Sequence, residues 1–136
     1  MTRSAPLIVI VLILVIVSPA ASQADPVDDS LERATAFLLQ QQDESGAIWE
    51  RMPHMRFQTA MSSLAVMALH TLGHKPSDKT PEGEACRRAL AYVLKPGSQD
   101  EQGYFGKSDG ARMYGHGITT WMLAQMSGLG ADGTQN

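Results

Sequence analysis

Apolar and polar positions divide the chain into five stretches. The first is an unbroken apolar run at residues 7–17, every one Leu, Ile or Val. Beyond it, apolar residues return four times at helical spacing, separated by polar or glycine-rich breaks. Leu31, Ala34, Phe37 and Leu38, continued by Gln41, predict a helix over 30–42, with Asp29 as its cap and Glu32 at capping-box spacing. Phe57, Ala60, Met61, Leu64, Ala65, Ala68, Leu69 and Leu72 give the strongest 3.6-residue period in the chain, and Gly73 is a natural stop. Thr80-Pro81 reads as a cap followed by proline at the first helical position. Cys86, Ala89, Leu90 and Val93 then stripe a third helix, closed by Pro96-Gly97. After a polar, glycine-rich stretch at 98–112, Ile118, Trp121, Met122 and Met126 mark a fourth helix over 114–127. The pattern predicts an all-α fold.

The second half of the pattern resembles the first. At a shift of 57 residues Gly46 meets Gly103, Phe57 meets Tyr114, Met61 meets Ile118, Leu64 meets Trp121 and Gly73 meets Gly130. The preceding helices match at a shift of 55, where RATAFLL from Arg33 aligns with RALAYVL from Arg88. The expected architecture is two tandem αα-hairpins over 30–130, the first at about 30–75 and the second at about 80–130. A lead-in at 25–29 precedes them and a disordered tail at 131–136 follows. Such hairpins bury their faces against neighbours, and about three are usually needed for stability. Two copies therefore imply either a piece of a longer array or a partner over the open end, by self-association or by missing C-terminal repeats.

The first stretch changes the picture of where the protein works. Arg3 precedes the apolar run, Ser18-Pro19 breaks it, and Ser22 and Ala24 stand at −3 and −1 of a cut before Asp25. That is the layout of a secretory signal peptide at 1–24, the alternative being an uncleaved membrane anchor. Eleven apolar residues fall short of the roughly 20 that span a bilayer, so no stable membrane span is expected after cleavage. Removal of 24 of the 136 residues leaves 112 for an exported chain, periplasmic or extracellular. The net charge of −3 offers no basic footprint for a nucleic acid. Cys86 is the one cysteine, which excludes a disulfide framework and reads as a small buried hydrophobe.

Phe37-Leu38, Gln42, Gly46 and Trp49 resemble the repeat of the prenyltransferase and squalene cyclase-like superfamily, the α/α-toroid, with one residue more between Gly46 and Trp49 than its usual Gly-x-Trp. The second copy keeps Gln102-Gly103-Tyr104-Phe105 but carries Pro96-Gly97 where the repeat's Gln would stand. RFQTAMSSLAVMAL and MYGHGITTWMLAQ resemble the inner helices of that fold, the latter a segment common in exported bacterial members. The resemblance implies an incomplete toroid. It implies no particular reaction.

The chemistry of that superfamily is not legible here. Its cyclases use an Asp-x-Asp-Asp acid in an aromatic cavity, and Asp28-Asp29 reads better as helix capping. Its prenyltransferases hold zinc with an Asp two residues from a Cys, which Cys86 lacks. The sequence thus implies no catalytic residue, metal or other cofactor. His116, between Gly115 and Gly117, is the most suggestive single residue: it could line a cavity with Asp109 and Tyr114 as a polar cluster, or simply bond the preceding loop. Trp49 and Trp121 read as cavity wall or as core between repeats, and Met61, Met67, Met122 and Met126 as core filler. His70 and His74 straddle a helix stop and read as incidental. The expectation is an exported repeat module, non-catalytic on its own; the alternative is the N-terminal part of a terpenoid cyclase-like or prenyltransferase-like enzyme whose catalytic residues are missing here.

Overall fold

The computed structural model describes residues 25–49, 57–109, 112–133 and 135. The stretch at 1–24, expected from the sequence to be a signal peptide, lies outside them. Four helices follow in order: α1 (Pro26–Gln40), α2 (Gln58–Thr71), α3 (Pro81–Leu94) and α4 (Arg112–Met126), with a 3-10 turn at Lys107–Asp109. Among the described residues there is no β-strand, and no helix is long and apolar enough to cross a membrane.

Proline sets the start of both α1 and α3. Thr80 caps α3, its Oγ1 accepting from the Gly83 N–H at 3.1 Å, with Pro81 in the first turn. The spacing places α1 from residue 30 under an Asp29 cap, but the helix starts at Pro26 and its cap is Asp25, which accepts from the Val27 N–H at 3.0 Å. Pro26 has no N–H to lose and a φ already helical, so the helix extends back to it. Asp28 and Asp29 then sit in the first turn, where the helix dipole favours them. At its other end α2 closes as the glycine predicts. Gly73 has φ +94°, its N–H donates to the His70 carbonyl at 2.8 Å, and the His74 N–H donates to the Leu69 carbonyl at 3.1 Å, a Schellman pair.

Helix α2 is the hub, packed against both α3 and α4, while α1 lies against α3 over a smaller surface. The core gathers Ile48, Val66, Leu90, Val93, Phe105, Met122 and Met126. The α3 stripe of Cys86, Ala89, Leu90 and Val93 is buried as the spacing predicts. The α2 stripe is rotated from its expected position. Thr59, Ser62, Ser63, Val66 and Met67 are buried, whereas Met61 and Leu72 are exposed. Being wrapped on two sides, α2 buries its small polar face as well, and the hydroxyls are satisfied there. Ser62 Oγ accepts from the Ile48 N–H at 2.9 Å, and Ser63 Oγ donates to the Thr59 carbonyl at 2.8 Å and lies 3.0 Å from Thr119 Oγ1. Trp121 also departs from the core reading, at 59% exposed.

The two connections between helices, α1 to α2 and α3 to α4, are built alike. Each holds one isolated antiparallel bridge, Gln42–Ile48 and Gln99–Phe105. The Asp43 N–H donates to the Ala47 carbonyl at 2.9 Å and the Asp100 N–H to the Tyr104 carbonyl at 3.0 Å. The Gly46 N–H returns to the Asp43 carbonyl at 3.0 Å, and the Gly103 N–H to the Asp100 carbonyl at 2.9 Å. Both glycines have positive φ, +91° and +83°. Gln42 and Gln99 close the turns with Nε2 bonds to the Gly46 and Gly103 carbonyls, at 3.0 and 3.2 Å. The Gln at Gln42's place in the second turn is thus Gln99, not the Pro96-Gly97 pair. Beyond α4 the register slips: the turn glycine with positive φ is Gly128 rather than Gly130.

Candidate functional site

The strongest convergence of polar and aromatic groups lies on the second turn. His116, one turn into α4, faces back over it. Its Nδ1 accepts from the Phe105 N–H at 3.4 Å, and its ring packs against Phe105 (centroids 6.1 Å, 19° between planes) and Tyr104 (4.7 Å, 59°). The Arg112 guanidinium also lies over the Tyr104 ring, 4.3 Å from its centroid. Arg112 in turn pairs with Asp100 Oδ2 at 2.8 Å and bonds the Gln102 side chain. The result is a chain of contacts from imidazole to a tilted phenol ring to guanidinium, closed by a carboxylate. With Nδ1 engaged by the Phe105 N–H, His116 here fixes the turn rather than presenting that nitrogen to a ligand.

The cluster expected around His116 is divided by the fold. Asp109 is buried, and it serves α2: its carboxylate accepts from the Thr59 N–H at 2.9 Å, the Ala60 N–H at 3.4 Å and the Thr59 hydroxyl at 3.4 Å. Phe57 at the start of α2 supplies no side-chain cap, so a residue 50 positions away does it. Tyr114 is more than half exposed and meets Phe57 edge-on at 6.2 Å. Trp49 donates its indole N–H to Asp43 Oδ2 at 2.9 Å, tying its ring to the first turn. Trp121 stands exposed on α4. Of the five residues singled out by the sequence, none bonds another among the described residues. The residues that do meet His116 are Tyr104 and Phe105, with Arg112 reaching Tyr104.

The turn carboxylates are tuned by their own loops. Burial pushes the Asp43 carboxyl up, but bonds from the Ser45 hydroxyl, the Trp49 indole and the Ser45 and Ala47 amides outweigh it and hold it below the usual range. For Asp100 the Tyr104 amide is the main influence; slight desolvation opposes it, while the Gln102 amide and the charges of Arg112 and Lys107 add to it, and the carboxyl again lies low. Cys86 is fully buried in α3. Burial, with the negative charges of Asp78 and Glu82, pushes its thiol up to about 12, so it is no nucleophile at neutral pH.

An apolar groove of about 240 Å³ opens beside the first turn, lined by Phe37, Leu38, Trp49, Met61, Leu64 and Ala68 with their neighbours. The exposed side of the α2 stripe forms its floor, which explains why Met61 is not core. Nothing in the lining is titratable. His70 and His74 do not form a helical pair, since α2 ends between them, and among the described residues no three His, Cys, Asp or Glu side chains gather as a metal site. Two signals in the sequence pointed to this arrangement: Gln-Asp-Glu-x-Gly occurs at both 42–46 and 99–103, and Tyr104-Phe105 precedes His116 by about three helical turns' worth of chain. The Asp109 cap had none, because its partner is distant in sequence. Compared with models of protein families, with curated proteins and with solved structures, the chain matches none of them.

Proposed function

We propose that this chain is an exported repeat module of the α/α-toroid type, similar to the prenyltransferase and squalene cyclase-like superfamily, that works by packing through its exposed faces and is non-catalytic on its own. The observation that carries this reading is the pair of turns with the same bridge, the same backbone bonds and the same Gln and Gly positions 57 residues apart. A hairpin copied in tandem reproduces its turn in this way. The residues most suited to chemistry support the non-catalytic reading, since Asp109 caps α2, His116 fixes the second turn and Cys86 is buried. Export rests on the signal-peptide pattern at 1–24.

A second reading, the N-terminal part of a terpenoid cyclase-like or prenyltransferase-like enzyme, draws on the exposed aromatics. Tyr114 and Trp121 are 54% and 59% exposed, and aromatic surface of that kind suits the wall of a larger cavity. The test of the module reading is to express the gene in an export-competent host, sequence the N-terminus of the product, and map amide protection. The expected product begins at Asp25, is exported, and protects the amides of Asp43, Gly46, Asp100 and Gly103 alike. Retention inside the cell with Met1 intact, or an unprotected second turn, overturns it.

A further inference from the structure

The first turn is clamped by α3. Arg88 Nη2 donates to the Asp43 carbonyl at 2.7 Å, with the Glu44 carbonyl at 3.5 Å, and Gln42 Nε2 donates to the Ala85 carbonyl at 3.0 Å. The approach is so close that a Cβ on Gly46 would stand 2.5 Å from the Arg88 carbonyl oxygen. The second turn has the same backbone and no such helix: a Cβ on Gly103 would meet nothing within 4 Å. The twin of α3 is α1, which aligns with it at a shift of 55. Asp25-Pro26 stands for Thr80-Pro81, Arg33 for Arg88 and Phe37 for Tyr92. The α1 face that corresponds to the clamping face of α3 is open. Arg33 donates to Ser30 Oγ on its own helix, at 3.2 Å, and Leu31 and Phe37 are 40% and 52% exposed.

From this we infer that the second turn is a docking site for α1 of a second copy of this chain, held as α3 holds the first turn. The molecule contains the template for that contact. Arg33 of the incoming copy takes the place of Arg88, donating to the Asp100 and Glu101 carbonyls, beside two acidic side chains that favour its charge. Phe37 covers the ground that Tyr92 covers internally. The contact is heterologous, since α1 and the second turn are different surfaces, so it leaves one of each free and grows head to tail. The inference rests on the repeat reading above and adds the partner.

Cross-linking tests it. One preparation carries Arg33→Cys, another Glu101→Cys, and a short bismaleimide is added to each alone and to the mixture; buried Cys86 stays unreactive, as the unaltered protein controls. Covalent dimer in the mixture and none in either preparation alone is the expected result. Dimer from a single variant means a like-to-like contact and overturns the inference. A mixture that does not cross-link also overturns it: if both thiols accept a maleimide dye, the face belongs to a partner of different sequence, and if the E101C thiol is blocked in the monomer, the chain covers its own turn. In parallel, sizing over a concentration series is expected to show growing mass, weakened on the order of tenfold by Phe37→Glu with helix content unchanged. A monomer at every concentration with both turns protected from exchange sinks the docking and spares the repeat reading, whereas an unprotected second turn sinks the repeat reading.

Discussion

The two glycine turns are nearly the same object in different surroundings. Gln, Asp, Glu and Gly recur at the same positions, and the backbone bonds agree within a few tenths of an ångström. Yet the first turn is pinned between Arg88 of α3 and Ser62 of α2, while the second rests on His116 and its own aromatic stack. Local sequence sets the shape of a turn. What the turn contributes to stability depends on which elements pack on it, and here the two copies differ.

The largest separation is expected from glycine substitution. Gly46→Ala meets both a positive φ and the Arg88 carbonyl at 2.5 Å, and is expected to cost about 3 kcal/mol or more. Gly103→Ala meets only the φ penalty, about 1 kcal/mol. Urea unfolding of the two variants measures the difference, and equal losses would mean that the second turn is covered as closely as the first.

Removing the anchors comes next. Ser62→Ala strands the buried Ile48 N–H and is expected to cost about 2 kcal/mol. His116→Ala frees the longer Phe105 bond and loses the tilted Tyr104 ring contact at a half-open site, for about 1 kcal/mol. Thermal melts should order the pair, Ser62→Ala melting lower. A smaller contrast separates the twin arginines. Arg88→Ala loses the clamp on the first turn, about 1 kcal/mol, while Arg33→Ala in dilute monomer should stay within about 0.5 kcal/mol of the parent.

The smallest effect is shared by both turns. Asp43 and Asp100 have folded pKa values below their ordinary 3.8. A depressed carboxyl pKa stabilises the fold above the unfolded value, and that contribution is lost as pH falls through the folded one. Stability should therefore be level from neutral pH down to about 5 and decline below about 4, and Asp43→Asn should flatten part of that decline. A melt series in which stability rose on acidification through this range would contradict the bonding described at both turns.

Much of the helical framework could be read from the chain. The Thr80-Pro81 cap, the Gly73 stop and the buried stripe of α3 are local or single-sided, so periodicity and capping chemistry suffice for them. The start of α1 was misplaced because Asp29 and Asp25 are both good caps, and the proline beside Asp25 decides between them. For the candidate site the sequence drew attention to His116 and Asp109 but paired them, and the fold sends Asp109 to α2 instead.

What the sequence by itself determined is therefore the helices, their proline and glycine boundaries, and the doubling of the Gln-Asp-Glu-x-Gly turn, because each depends on residues within a few positions of one another. What only the tertiary structure decided is which face of α2 is buried, which residue caps it, and which turn is clamped. Those follow from contacts between residues 14 to 56 positions apart in the chain. A helix wrapped on two sides hides Ser62 and Ser63 and leaves Met61 in the open, an outcome that hydrophobicity along one helix does not encode.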